Sequence, residues 1–310
     1  MAARIGELAA LGTAVSWTVA ALIMEQALKR VGVMAVNTLK VAFGSVYLAL
    51  LAYFLNGRFF PLDLPNTAWL FLGASGFIGF VIGDYFLLHS YALVGSSLAM
   101  LLMSLSVPLT ALGAFFIFGE RLGLWSLAGI TVCAAGISLT ISAGWKKQKK
   151  EIYPGDAGDI LSVSMTKRYR KGVFFGTLSG VCMAVATLFT KAGAVGVDSV
   201  SATQIRIISA LAGFLLFALV TGKIGEVKAA FHHRSGFSLI AFGGLFGPFI
   251  GVGLLLFAIQ NAEAGVVSTL SSLTPVLIIP PTIILFHRRI LPAEILGACL
   301  AVTGLAMLFL

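Results

Sequence analysis

Asp84 and His89 are titratable residues that interrupt one of the long apolar runs of this 310-residue chain. If such a run is a membrane helix, a charge near its centre costs at least roughly 2.5 kcal/mol, so a functional use is the first explanation to consider. A lone carboxylate at Asp84 can take up a proton or bind the ammonium group of a substrate, and the His89 imidazole can relay protons. Structural explanations stand beside these: a nearby hydroxyl or lysine can hold Asp84, and His89 can be a hydrogen-bonded edge residue.

Lys40 and Arg206 are basic residues that occupy matching positions in the two halves of the chain, 166 residues apart. Each lies about one and a half turns into its apolar run. From there the two cations can meet a substrate carboxylate from opposite sides of a site, or they can pair with Asp84 or Glu120. The alternative is snorkelling, in which a long side chain extends to the lipid headgroups.

Hydroxyl residues precede a proline in two further runs, with Ser104 before Pro108 and Ser271 before Pro275. Proline leaves the backbone carbonyl one turn earlier without its hydrogen-bond donor, and a nearby hydroxyl can donate to that carbonyl instead. Where the bend lines a cavity, the hydroxyl can contact a ligand. Trp17 can pack against an organic substrate or face lipid. We predict a substrate-binding set of Asp84, Trp17, Lys40, Arg206, Ser104 and Ser271, possible proton coupling through Asp84 and His89, and structural roles for Pro108, Pro275 and Glu120.

Four other charged residues lie at the ends of apolar runs. Glu25 and Lys191 match one another between the two halves, and we interpret them as edge charges. Glu120 and Arg121 are adjacent charges of opposite sign, which fits a structural clamp at the membrane interface.

The composition defines the environment of all these residues. Hydrophobic residues make up 59% of the chain and charged residues 11%, and the mean hydropathy is +1.01. In soluble domains about a quarter of all residues are charged, so this chain is a membrane protein. The net charge of +9 does not indicate nucleic-acid binding, because the basic residues lie in short connectors.

Ten apolar runs predict an all-α bundle of ten transmembrane helices over residues 5–28, 34–55, 67–90, 94–118, 124–143, 172–192, 199–221, 236–259, 263–285 and 292–310.

The two halves of the chain repeat one another. Equivalent residues are Lys40 and Arg206 at an offset of 166, Pro108 and Pro275 at 167, and Gly129 and Gly297 at 168. We predict a first repeat over 1–144, a basic connecting loop over 145–171 and a second repeat over 172–310. Because each repeat has an odd number of helices, the second crosses the membrane in the opposite direction. Inverted repeats are typical of secondary transporters, whose sites lie between the repeats near the midplane.

The chain also resembles a known family over nearly its whole length. The first half carries Gly-Glu-Arg-Leu at 119–122 and glycines at 129 and 136, and the second half carries SSLTP at 271–275 and glycines at 297 and 304. This pattern is similar to the EamA-type domain of the drug/metabolite transporter superfamily. The resemblance implies a ten-helix transporter with the fifth and tenth helices on the outside. Residues 286–289, Phe-His-Arg-Arg, stand where the second Gly-Glu-Arg-Leu is expected, so any role of that glutamate applies to Glu120 alone.

The orientation in the membrane has two conflicting indications. Fifteen lysines and arginines fall on the side of the central connector and four on the other side. Basic residues are retained in the cytoplasm, so this count predicts a cytoplasmic connector and two external termini. The resemblance implies the reverse, because ten-helix members of the family generally keep both termini in the cytoplasm.

These features predict a secondary transporter in the plasma or inner membrane that moves a small organic metabolite, such as an amino acid, by alternating access. The chain has no GxxxxGK[ST] motif for ATP and no HExxH motif or interfacial pair of carboxylates for catalysis. We therefore expect no enzymatic activity, no metal and no cofactor. The expected partners are the small-molecule substrate and the lipid bilayer, without nucleic acid, and the protein is expected as a monomer or homodimer. A membrane-embedded enzyme and a non-transporting scaffold are the alternatives.

Overall fold

The structure, a computed structural model, describes residues 2–61, 63–152, 160–262, 264–287 and 290–308. The regular secondary structure within these ranges is helical, as lipid requires, because it offers no partner to an unpaired backbone group. Helices 1 to 7 cover Ala2–Leu28, Val33–Asn56, Asn66–Val94, Ser96–Phe118, Leu124–Ile152, Ile160–Gly193 and Ser199–Val220, helices 8 and 9 cover 234–261 and 264–286, and helix 10 covers Pro292–Met307. The first nine contain apolar spans of 21 to 29 residues, long enough to cross a membrane. The prediction of an all-α ten-helix bundle is confirmed.

Two predicted helix boundaries, at 90–94 and 259–263, lie within a few residues of the observed ones. Helix 3 ends at Val94 and helix 4 begins at Ser96, with Gly95 between them at φ 88°. This backbone conformation is open to glycine and strained for other residues, so a single glycine separates two helices. The helix after Asn261 begins again at Ala264, in agreement with the second predicted boundary.

The predicted connecting loop over 145–171 is largely helical. Helix 5 continues to Ile152 and helix 6 begins at Ile160, while residues 153–159 lie outside the described ranges. The prediction ended both helices where charged residues leave the lipid. A helix continues into water when its residues are good helix formers, and lysine, glutamine and glutamate dominate the stretch from 146 to 151.

The connector between helices 7 and 8 also contains an unpredicted short helix, Ile224–His232. Its Glu226 carboxylate lies against Gly32 at the start of helix 2, where an added Cβ would come within 2.6 Å of Oε2. The short helix therefore packs on the same end of the bundle as the connector between helices 1 and 2.

The packing follows the repeat. Helix 1 packs on helices 8 and 9, and its equivalent, helix 6, packs on helices 3 and 4. Helices 2 and 7 contact each other, and so do helices 5 and 10. The main contacts between the two repeats therefore have counterparts obtained by exchanging equivalent helices, which is the arrangement that a pseudo-two-fold axis produces.

Helices 5 and 10 contact each other through equivalent glycines. A Cβ at Gly129 would lie 2.6 Å from the carbonyl oxygen of Gly304, and a Cβ at Gly136 would lie 2.5 Å from that of Gly297. The reciprocal Cβ positions at Gly297 and Gly304 meet the carbonyl oxygens of Gly136 and Gly129 at 2.6 Å each. The backbones of these two helices touch because no side chain separates them.

Helices 3 and 8 each contain a π-helical segment, Phe77–Gly83 and Leu245–Gly251. The two segments are equivalent at an offset of 168 residues, so both repeats have the same departure from α-helical geometry. Segments of this kind occur frequently at functional sites because they rotate the residues that follow relative to the rest of the helix. In helix 3 the residue directly after the segment is Asp84.

Helices 4 and 9 are interrupted before their prolines. The α-helical geometry stops at Ser104–Leu105 in helix 4 and at Ser272–Leu273 in helix 9, and Pro108 and Pro275 follow, both buried. The missing proline N–H explains each interruption, because the carbonyl one turn earlier loses its partner.

Candidate functional site

A buried ion pair joins helices 2 and 3 inside the bundle. Lys40 Nζ donates a hydrogen bond to Asp84 Oδ2 at 2.6 Å, and the two side chains are only 17% and 10% exposed. Of the explanations that the sequence left open, the structure therefore shows Lys40 paired with Asp84. An isolated charge at this depth is expensive, and the pair offsets that cost for both groups.

The Arg206 guanidinium lies over the face of Phe80, with Cζ 5.0 Å from the ring centroid. Its backbone lies against helix 3, where a Cβ at Gly76 would come within 2.1 Å of the Arg206 carbonyl oxygen. The guanidinium is within electrostatic range of Asp84. Helix 7 therefore reaches across the repeat interface and places its cation beside the π-helical segment of helix 3. Asp84 is the residue directly after this segment.

The three charges lie at intermediate depth. Lys40 and Arg206 each follow the first residue of their helices, Val33 and Ser199, by seven positions, or about 10 Å at a rise of 1.5 Å per residue. Helices 2 and 7 run in opposite directions, so the two cations approach the centre of a core about 30 Å thick from its two sides. A rearrangement of the helices can therefore open the site to either side of the membrane.

Trp17 lies on helix 1 against the π-helical segment of helix 8. A Cβ at Gly251 would lie 2.5 Å from the indole Nε1. The equivalent contact in the other repeat brings the Met183 sulfur within 3.6 Å of a Cβ at Gly83, next to Asp84. Trp17 therefore packs on the residue of helix 8 that corresponds to Gly83, the neighbour of Asp84 in helix 3.

Ser104 and Ser271 are equivalent, and both hydroxyls hydrogen-bond within their own helices. Ser104 Oγ donates to the Leu101 carbonyl at 2.6 Å, and Ser271 Oγ donates to the Ser268 carbonyl at 3.1 Å. They satisfy backbone carbonyls next to the interruptions of helices 4 and 9. The structure gives them this compensating role and does not bring them into the Lys40–Asp84 pair.

His89 lies apart from the ion pair, in an aromatic cluster. Its Nδ1 is 2.8 Å from the Tyr85 carbonyl oxygen, and its ring is 4.3 Å from the Tyr85 ring and 5.7 Å from that of Phe175. No hydrogen bond or ion pair joins His89 to Asp84 within the described ranges. A direct proton relay between the two side chains is not formed in this conformation.

Glu25 is buried, in contrast to the expectation of an edge charge. It is 2% exposed, and its Oε2 accepts a hydrogen bond from the backbone N–H of Ser96 at 2.8 Å. A carboxylate from helix 1 thus caps the first residue of helix 4, where the helix dipole favours a negative charge. The sequence missed this contact because Ser96 is 71 residues away in the chain.

We expect Glu25→Ala to lower the stability of the protein in detergent by roughly 1–3 kcal/mol, because it leaves a buried N–H without its acceptor. Glu25→Gln keeps an acceptor oxygen and should recover most of this loss. The thermal unfolding midpoints of the two variants measure the difference. Equal midpoints for the wild type and Glu25→Ala would show that the contact is unimportant for the fold.

Glu120 has a structural partner on helix 6. Its carboxylate forms an ion pair with Lys191 Nζ, and both side chains are about half exposed. The Lys191 ammonium also lies 5.4 Å from the centroid of the Phe118 ring. Glu120 therefore links helices 4 and 6 through Lys191, whereas the sequence suggested a clamp with the adjacent Arg121.

The sequence aligned residues 286–289 with Gly-Glu-Arg-Leu at 119–122, an offset of 167 residues. The turn after helix 9 shows that this alignment is wrong by one residue. Gly119 ends helix 4 with φ 68°, and His287 ends helix 9 with φ 49°. His287 is therefore the structural equivalent of Gly119, at an offset of 168 rather than 167. Helix 9 is interrupted a second time at Ile278, before Pro280, within the segment in which the offset changes from 167 to 168.

Two features of the site were not found from the sequence. The π-helical segments have no simple sequence signal beyond their glycines. Asn37 is fully buried one turn before Lys40, and neither polar atom of its amide has a hydrogen-bond partner among the described residues. Its spacing of three residues from Lys40 places it on the same helix face, which is a signal that could have identified it.

A groove of about 360 Å³ lies elsewhere, near the beginning of helix 1, and is lined by Arg4, Glu7, Leu8, Leu11 and Leu270. Leu8 is 68% exposed, so the groove opens on the outer surface of the bundle. It contains none of the three charges at the repeat interface.

Fold and site together define a multi-pass membrane protein of two inverted five-helix repeats with a charged centre between them. The model of the EamA-like transporter family matches residues 4–142 and 170–310, which cover both repeats. The chain therefore belongs to the EamA-like transporter family of the drug/metabolite transporter superfamily, and the resemblance seen in the sequence is confirmed. A solved structure, described only as "Crystal structure of protein", has a TM-score of 0.62 and 18% identity and covers 98% of this chain and 96% of its own. This likeness concerns the fold alone. No curated protein matches the chain.

Proposed function

We propose that this protein is a secondary transporter that moves a small organic solute across the cell membrane by alternating access. The observation that carries the proposal is the cluster of Lys40, Asp84 and Arg206 at the interface of the two repeats. Intramembrane charges that face a bundle interior mark substrate or ion pathways. Inverted repeats supply the two related conformations that alternating access needs.

The contacts between the repeats favour a rearrangement of rigid helices around this cluster. The glycines of helices 3 and 8 allow close approach, as at Gly76 against Arg206 and at Gly244, where a Cβ would lie 3.6 Å from the Lys40 carbonyl oxygen. Small residues at a helix contact leave few interlocked side chains to separate when the helices move. The π-helical segments and the proline interruptions are the places where bending costs the fewest hydrogen bonds.

Asp84 offers a means of proton coupling. In its ionised form it pairs with Lys40 at 2.6 Å. A proton added to Asp84 removes the negative charge, weakens that pair and frees the Lys40 ammonium, so protonation and the conformation of helices 2 and 3 are linked. In this proposal His89 is not the direct proton donor to Asp84, because its Nδ1 is directed to the Tyr85 carbonyl.

The test is an uptake screen with the purified full-length protein in proteoliposomes. A panel of amino acids, organic acids, sugars, nucleosides and amines is offered with and without an imposed pH gradient, and internal solute is measured by mass spectrometry. We expect at least one solute to enter faster than into protein-free liposomes, and a pH gradient to change its rate. If no solute of the panel moves, the protein is better described as a scaffold. Chemical conversion of a solute would indicate an enzyme.

A further inference from the structure

The charge symmetry of the two repeats is broken at one position. In the first repeat, Lys40 is paired with Asp84 directly after the π-helical segment. In the second repeat, Arg206 replaces Lys40 and the residue directly after the equivalent segment is Val252. The second repeat has therefore kept the cation and lacks the acid that would pair with it.

The surroundings of Arg206 leave its guanidinium without a counterion of its own. Among the described residues it forms no hydrogen bond or ion pair, and its Nε is buried without a partner. The Phe80 ring, 5.0 Å from Cζ, contributes a cation–π contact. This contact offsets only part of the cost of removing the guanidinium from water.

Helices 3, 6 and 7 meet closely beside the guanidinium. A Cβ at Gly79 would lie 2.9 Å from Ala186 Cβ, 3.6 Å from Met183 Sδ and 3.8 Å from Arg206 Nη2. Arg206 as a residue is partly rather than fully buried. A solute therefore reaches the guanidinium from its partly exposed side or when these helices separate during transport.

The charge of the cluster decides which group fits. Lys40 and Asp84 neutralise one another, and Arg206 adds one positive charge, so one negative charge on the solute balances the site. A carboxylate carries one charge and has two oxygens that match the planar donor fork of arginine. A phosphate monoester carries about −1.5 to −2 at neutral pH and would leave the site with excess negative charge.

We infer that Arg206 binds the carboxylate of the transported solute, so that the substrate is a small molecule with a single carboxylate group. The inference rests on the proposed transport function and specifies its substrate class. Asp84 stays with Lys40 while the solute binds, and the solute takes the place of the acid that the second repeat lacks.

The experiment compares matched solutes in proteoliposomes. Lactate, pyruvate and phenylpropionate, each with one negative charge, are measured beside the corresponding primary amides, with glycerol phosphate as the phosphate monoester. We expect at least one acid to enter at least tenfold faster than its amide. Equal rates for acid and amide, or transport of glycerol phosphate alone, would overturn the carboxylate assignment while leaving transport itself intact. If the wild type moves nothing in this set or in the broader screen, the proposed function fails and the inference fails with it.

Arg206→Gln is the sharpest variant, because it removes the positive charge and keeps a polar side chain. It should bring the ratio of acid to amide uptake close to one, and the matched control Arg206→Lys, which keeps the charge, should restore part of that ratio. An unchanged ratio in a folded Arg206→Gln protein would contradict the inference.

Discussion

Asp84→Asn should abolish transport and reduce the stability of the folded protein. Asparagine has the same shape as aspartate but cannot carry the charge that pairs with Lys40 at 2.6 Å. Removing one partner of a buried pair typically costs 3–5 kcal/mol, and we expect a value of about 3 kcal/mol because the Lys40 side chain is long enough to extend toward the headgroups. Uptake of the solute identified in the screen and the thermal unfolding midpoint in detergent measure the two effects. Wild-type transport by Asp84→Asn would remove the carboxylate from the mechanism.

The double variant Lys40→Met/Asp84→Asn separates stability from transport. It removes both charges, and a neutral pair of similar volume is often as stable as the ion pair that it replaces. We therefore expect its unfolding midpoint to return close to that of the wild type. A midpoint as low as that of the single variant would show that the destabilisation comes from lost packing rather than from an unpaired charge.

Gly76→Ala should impair both folding and transport. The added Cβ would lie 2.1 Å from the Arg206 carbonyl oxygen and 2.6 Å from the Arg206 Cα, and a backbone cannot give way as a flexible side chain can. Overpacking of this kind costs roughly 1–3 kcal/mol or more, and it should also displace the guanidinium that helix 7 places over Phe80.

The control for Gly76→Ala is Gly253→Ala in helix 8, where nothing lies within 4 Å of an added Cβ. Both substitutions gain the same helix propensity, about 1 kcal/mol, so the difference between them reports the helix contact. Thermal unfolding and uptake are measured for both variants. If Gly76→Ala is as stable and active as Gly253→Ala, helices 3 and 7 are not in close contact in the membrane.

Much of the fold follows from local properties of the sequence. Apolar length identifies the helices, because each backbone must satisfy its own hydrogen bonds in lipid, and Gly95 alone was enough to separate helices 3 and 4. The ends of helices 5 and 6 were less predictable. Hydropathy locates the point at which a helix leaves the lipid, whereas the helix itself continues to Ile152 and from Ile160.

The candidate site was also predictable only in part. The cost of an intramembrane charge singled out Asp84, Lys40 and Arg206, and the structure places these three together. The pairing itself depends on which helices touch, which the sequence does not determine. Glu25 illustrates this, because its position at the end of an apolar run suggested an edge, whereas helix 4 covers it and takes it as a cap.

The same limit applies to the hydroxyl residues. Ser104 and Ser271 were expected at the substrate because they precede prolines, and in the structure they bind the carbonyls of Leu101 and Ser268. A hydroxyl next to an interruption has a nearby acceptor in its own helix, and composition alone cannot distinguish that use from a contact with a ligand.

The most direct test of the account is the rate of solute uptake by the Lys40→Met/Asp84→Asn protein in proteoliposomes, at the same protein density as the wild type. If the charged cluster between the repeats is the transport site, this variant should be as stable as the wild type and should move the solute no faster than protein-free liposomes do. Wild-type uptake by the stable double variant, which lacks the ion pair, would contradict the account, because the ion pair would then serve the fold alone.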